Sequence, residues 1–280
     1  MQRLVFAAPV LVCASIVMAA PLDYHEHWDS YNLGTGDATY QAAWPTVSLP
    51  GYVRFNLVDS NVFNAPRAVE YPGANQKRGI INDLADGVSS GQPDAIEMSP
   101  GQWVVPTADS ELDLGMYMRI QTGNQRKNVN GIVVLSMGDQ DANIPTDTTT
   151  VLANPIPALA FGVINGWGDV NNTAPYFFNG QQWIQTSLGV TTGYNRLWMN
   201  IRSDGNVLVE ERSQAISSLY AAAYTGGFDT ISIRVDNILN PSGANRIDDV
   251  YLTGGNVVPE PTTIGFLALG TLGLLRRRRF

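Results

Sequence analysis

Several stretches of this chain alternate strictly between apolar and polar residues. In Leu112 to Gln121, Leu114, Met116, Met118 and Ile120 fall on one side, and Tyr117, Arg119 and Gln121 on the other. Gly51 to Val58, Arg196 to Arg202 and Asp229 to Asp236 repeat the pattern, with Val53, Phe55, Leu57, Leu197, Met199, Ile201, Ile231, Ile233 and Val235 on the apolar sides. A period of two residues is that of a half-buried antiparallel strand. Ile132 to Leu135 is apolar on both sides and predicts a more central strand. Ser203-Asp204-Gly205-Asn206, between two such runs, predicts a hairpin turn.

Helical periodicity is scarce. Arg78 to Leu84 and Gln214 to Tyr224 predict a turn or two of helix each, and the Gly/Asn-rich Gly162 to Gly180 predicts a long loop or irregular strand. No fixed-period repeat is visible, which argues against a propeller or solenoid. The expectation is all-β: one two-sheet antiparallel sandwich over residues 21–257, a size such domains often reach.

The two ends read differently. Met1 to Ala20 has Arg3, an apolar run from Leu4 to Met18 and small residues at Ala19 and Ala20, the pattern of a cleaved signal helix. Cys13, the single cysteine, lies inside it, so the mature chain is expected to hold no disulfide, thiolate metal site or cysteine nucleophile. Residues 258–280 contain Pro259-Glu260-Pro261, an apolar run from Thr262 to Leu275, and Arg276, Arg277, Arg278 and Arg279. As a helix those 14 apolar residues reach ~21 Å, short of the ~30 Å hydrocarbon core unless the arginine stems snorkel. The arginines predict a cytoplasmic end.

This ending closely resembles the PEP-CTERM sorting tail of exported bacterial proteins. The resemblance implies export, transient anchoring of the tail in the inner membrane, processing by an exosortase-type transpeptidase, and a final place at the cell surface or outside it.

Setting aside Arg3, Glu260 and the four tail arginines leaves 12 basic against 24 acidic residues, a net charge of −12. Such a surface repels nucleic acid, and no nucleic-acid partner is expected.

Four short motifs, Trp28-Asp-Ser-Tyr-Asn-Leu-Gly, Phe177-Phe-Asn-Gly-Gln, Leu197-Trp-Met-Asn-Ile and Arg246-Ile-Asp-Asp-Val-Tyr-Leu252, resemble those of concanavalin-type jelly-roll modules. The resemblance implies a jelly roll whose first and last strands lie side by side. Jelly rolls of this type include glucanases that place two glutamates on one strand as Glu-x-Asp-x-(x)-Glu. Here Glu111-Leu112-Asp113 supplies the first half, but Gly115 and Met116 stand where the second glutamate belongs, so no catalytic residue is assigned. A glycan hydrolase with other carboxylates is the alternative reading, and a purely structural envelope protein a third.

His25 and His27 are the only histidines, and they are expected to be solvated near the mature N-terminus. The better metal expectation is a structural calcium. Asp139, Asp141 and Asn143, with Asp147 beyond, place oxygens at alternate positions, but the turn lacks the glycine and glutamate of an EF-hand loop. Asp248 resembles the last-strand acid that holds calcium in jelly-roll carbohydrate modules, with Asp29 as its neighbour.

Polysaccharide binding uses aromatic faces and side chains that grip hydroxyls. Tyr52, Arg54, Tyr117, Arg119, Trp198, Asn200, Arg202 and Arg234 lie on the polar sides of the predicted strands. If those strands share a sheet, these residues form one aromatic and arginine-rich face. Trp103, Trp167 and Trp183, in turn-rich stretches, are additional binding candidates.

Overall fold

A computed structural model describes residues 21–28, 32, 36, 38–44, 52–53, 56–58, 68–70, 77–83, 98, 101–120, 129–145, 147–165, 173–191, 193–237 and 246–259. The strands are β1 (Leu22–Glu26), β2 (Tyr52–Val53), β3 (Asn56–Val58), β4 (Ala68–Glu70), β5 (Lys77–Asp83), β6 (Gln102–Val105), β7 (Leu112–Ile120), β8 (Val129–Ser136) and β9 (Ala158–Asn165). They continue as β10 (Thr173–Phe178), β11 (Trp183–Gln185), β12 (Gly193–Ile201), β13 (Asn206–Glu211), β14 (Ile216–Ala221), β15 (Thr230–Asn237), β16 (Arg246–Gly254) and β17 (Asn256–Pro259). One α-helix, α1 (Ala38–Ala43), follows β1.

Two sheets make the sandwich. The first runs β14-β13-β12-β7-β16-β4-β3, with β1 also paired to β16; the second runs β11-β10-β9-β8-β15-β5-β2. Leu114, Met116, Leu197 and Met199 of the first sheet pack against Val133, Leu135, Phe161 and Ile233 of the second. The apolar members of each alternating run thus meet in one core, as facing sheets ~10 Å apart require. The architecture is an all-β jelly-roll sandwich. Its first and last long strands do lie side by side, with Tyr24 opposite Leu252.

The strands expected over 112–121, 132–135, 196–202 and 229–236 all form, and so does the hairpin. There Gly205 takes φ +83° and Asp204 accepts hydrogen bonds from the backbone and side chain of Asn206. Other stretches differ from expectation. The helix expected from Arg78 to Leu84 is instead the strand β5 as far as Asp83, paired with β15 on one side and, in parallel, with β2 on the other, and Leu84 lies outside the described residues. Gln214 to Tyr224 contains the edge strand β14, not a helix. Ile216, Leu219 and Tyr220 have helical spacing by coincidence, whereas their exposure alternates residue by residue. Gly162 to Gly180, read as a loop, holds the end of β9 and all of β10. Gly162 is there for close approach: a Cβ on it would lie 2.1 Å from the Gly131 carbonyl oxygen. Gly51 to Val58 divides into β2 and β3, which belong to different sheets. The signal and anchor helices expected at the two ends lie outside the described residues. No described helix is long and apolar enough to cross a membrane.

Candidate functional site

The polar residues of β7, β12 and β16 share the face of the first sheet that points away from the core. Register fixes their order: Trp198 stands opposite Gly115 from one side, and Tyr251 stands opposite Gly115 from the other. A glycine between two large rings lets both lie across it. A Cβ on Gly115 would fall 2.1 Å from Cε2 of the Trp198 indole. The Trp198 and Tyr251 rings stack at 5.7 Å, and Tyr117 meets Trp198 edge-on at 5.7 Å.

Tyr117 and Trp198 are each 8% exposed, so they are not the open platforms that alternation alone suggests. Guanidinium groups cover them. Arg212 lies 4.6 Å over the Trp198 ring and Arg196 lies 5.5 Å over the Tyr117 ring. Arg212 is held in place by Glu210 at 2.8 Å. These are cation–π contacts, favoured by the negative face of each ring. Farther along the same face, Asn200 donates to Asp113 at 3.0 Å and accepts from Arg202 Nε at 3.3 Å, and Arg202 faces Glu111 at 3.5 Å.

At the β1 edge, a register shift between Asp248 and Tyr251 puts Asp249 at φ +46°. The bulge turns the Asp249 carboxylate toward His27, whose Nδ1–H donates to it at 2.6 Å. Asp248 and Asp249 are both 0% exposed. The Tyr251 hydroxyl also donates to Asp249. Burial first, and then the Asp249 charge and this hydrogen bond, push the Tyr251 phenol well above its ordinary range. Tyr194 is raised mainly by burial and next by Asp248, with Arg246 and Arg119 pulling the other way.

His25 and His27 are not loose at a terminus: both are part-buried, and their rings lie 4.7 and 5.7 Å from Tyr251. Arg234 is 2% exposed and belongs to β15. It lies on the far face of the second sheet, opposite Ile132, so the sandwich separates it from Trp198. Trp183 is a core residue packed on Phe178, with its indole N–H donating to the Pro145 carbonyl at 2.9 Å. Tyr52 lies in β2 of the second sheet, away from this face. Arg54, Asp29 and Trp167 fall outside the described residues, as do Glu260, Pro261 and Arg276 to Arg279.

In the turn at 139–147, Asp139 and Asn143 are described and the Asp141 side chain lies outside the described residues. The Asn143 amide donates to Gln140. Asp147 accepts from the backbone and hydroxyl groups of Thr149 and Thr150, which hold its carboxyl down at about 2. Among the described residues no group of three or more His, Cys, Asp or Glu is placed to hold a metal. The glucanase-like strand has a physical obstacle as well. The side of β7 that carries Glu111 and Asp113 has Trp198 over Gly115, and Met116 points into the core.

Sequence reasoning missed Tyr251, Arg196, Arg212 and Tyr194. Tyr251 could have been found from the alternation of β16, had the bulge not reset it.

No curated protein matches the chain. Among solved structures, the CBM2 module of the evolved Dit of Lactobacillus casei BL23 phage J-1 is 8% identical over 86% of this chain and 99% of its own, with a TM-score of 0.46. Lectin II from Ulex europaeus is 8% identical over 84% and 99%, with a TM-score of 0.44. A glycosidic hydrolase is 7% identical over 84% and 96%, with a TM-score of 0.43. These are likenesses of fold, not of site. Residues 257–279 match the PEP-CTERM protein-sorting motif, so the chain joins a jelly-roll sandwich to a sorting signal of exported proteins.

Proposed function

We propose that this is a non-catalytic surface or matrix protein that binds polysaccharide on the outer face of β7, β12 and β16. An exosortase-type transpeptidase processes the tail after transient anchoring in the inner membrane. The observation that carries the binding reading is the continuous cluster of Tyr117, Trp198 and Tyr251 on a face turned away from the core, with Arg196 and Arg212 above it. Rings there contribute nothing to the sandwich interior, and their guanidinium caps offer a fork of donors to sugar oxygens. The crowding of Gly115 by Trp198 supports a binding role over glycoside hydrolysis on this strand. A structural calcium belongs at Asp248 in this reading, not at the 139–147 turn.

Calorimetric titration of the exported chain with exopolysaccharide from its own organism tests the proposal. Saturable heat is expected, and Trp198→Ala, checked for folding by its melting curve, should abolish it. Absence of heat, or release of reducing sugar during the titration, would overturn the reading.

A further inference from the structure

The arginines of this face are not equivalent. Arg202 and Arg212 face Glu111 and Glu210. Arg119 and Arg196 make no ion pair with any described carboxylate, although the whole chain has 25 acids against 17 Lys and Arg. In so acidic a chain an arginine has many carboxylates available, and among the described residues these two are left without one. They are also neighbours. Arg119 of β7 is opposite Tyr194, and Arg196 of β12 is opposite Tyr117, so the two arginines are diagonal partners on one face. Diagonal side chains stand ~7–8 Å apart at their roots, within reach of a common group for chains as long as arginine. Arg196 is the exposed member and is kept upright over the Tyr117 ring. The third arginine nearby, Arg246, is opposite Arg119 on β16 but is buried with Asp248 and Asp249.

We propose that the polysaccharide bound here is acidic, its sugars bearing carboxylates that Arg119 and Arg196 grip. The inference rests on the polysaccharide reading above and adds the charge class of the ligand. A guanidinium offers two parallel N–H donors that match a carboxylate, and such charge-assisted pairs are the strong ones. The chain's net charge of −8 opposes a densely charged polymer such as nucleic acid. The buried rings beneath the guanidinium groups hold those groups in place, so it is the N–H donors and not the ring faces that meet a ligand. Carboxylates spaced along a glycan satisfy all three conditions.

Titration with polygalacturonate and with its fully methyl-esterified form separates charge from backbone, since only the carboxylates differ. The acid form is expected to bind at least about tenfold more tightly. Arg119→Gln and Arg196→Gln, singly and together, should remove that preference, and Arg196→Lys should keep only part of it because the fork is lost. Arg196 is exposed, so its single variant should fold even if the double variant does not. Equal affinity for both polymers, abolished by Trp198→Ala, would overturn the charge proposal while leaving polysaccharide binding intact. Binding to neither polymer, together with no heat from the organism's own exopolysaccharide, would remove both. Heparin bound as tightly as polygalacturonate, and through the same arginines, would overturn carboxylate recognition in favour of a general anion site.

Discussion

The Trp198 indole lies across Gly115, in the space that any side chain at 115 would need. Gly115→Ala should therefore destabilise the sandwich by about 1–3 kcal/mol, the usual cost of overpacking. The same change made in a Trp198→Ala background should cost far less, because the two residues compete for one volume. Denaturant melts of the four proteins in the cycle give the coupling directly. Additive losses would show that the indole does not occupy that space.

Asp249 is the residue at which β16 breaks register, and its backbone is left-handed. Asn tolerates that conformation better than most residues, whereas Ala pays roughly 1–2 kcal/mol there. Asp249→Ala also leaves His27 and Tyr251 without their shared acceptor. Asp249→Ala should thus melt well below Asp249→Asn, and a reversed order would mean that the bulge is not held by this carboxylate.

Calcium separates two stretches that look alike in sequence. Any rise in melting temperature on adding calcium should survive an Asp139→Ala/Asn143→Ala variant and disappear in Asp248→Asn. The Asp147 carboxylate already accepts from Thr149 and Thr150. Loss of the response in the first variant would return the metal to the turn.

Asp147 provides a pH test. Its carboxyl is lowered to about 2, first by the hydroxyls of Thr150 and Thr149. A lowered carboxyl stabilises the folded form above its ordinary value near 3.8, and that contribution is lost as pH falls through about 2. The group is largely open to solvent, so the effect on global stability is small. A carboxyl-carbon NMR titration should find the midpoint near 2, and Thr150→Ala should move it upward.

Much of the sandwich was legible because the alternation of β7, β12 and β15 is enforced by one dry side and one wet side. The apolar sets Leu114/Met116/Met118 and Leu197/Met199/Ile201 could belong only to a core. β14 was not legible, because it is an edge strand whose Leu219 is 52% exposed and its apolar residues fall at helical spacing. The end of β9 was hidden by Gly162, which lets β8 approach closely but in sequence looks like a loop glycine. At the candidate site, sequence placed Tyr117, Trp198, Asn200 and Arg202 on one face correctly. It put Arg234 there as well, because alternation reveals which side of its own strand a residue occupies but not which sheet that strand joins. Tyr251 escaped because one extra residue at Asp249 shifts the period.

The sorting motif begins inside the fold. Residues 257–259 of the match are the last three of β17, and Val257, Val258 and Pro259 pair with Val104, Trp103 and Gln102 of β6. Val104 spends its N–H and carbonyl on Phe228, so Val257 and, two residues on, Pro259 occupy positions where the ladder asks for no hydrogen bond from them. From Pro259 to Thr262, where the apolar run starts, is three peptide steps, at most about 11 Å of chain. At most that length of chain therefore separates β17 from the apolar run of the motif. Arg119 stands seven residues along β7 from Leu112, which pairs with Gly254 just before β17, and so about 23 Å from that turn. The motif and the β6–β17 pair share residues 257–259, so a cut ahead of Val257 would also remove three of the four residues of that strand.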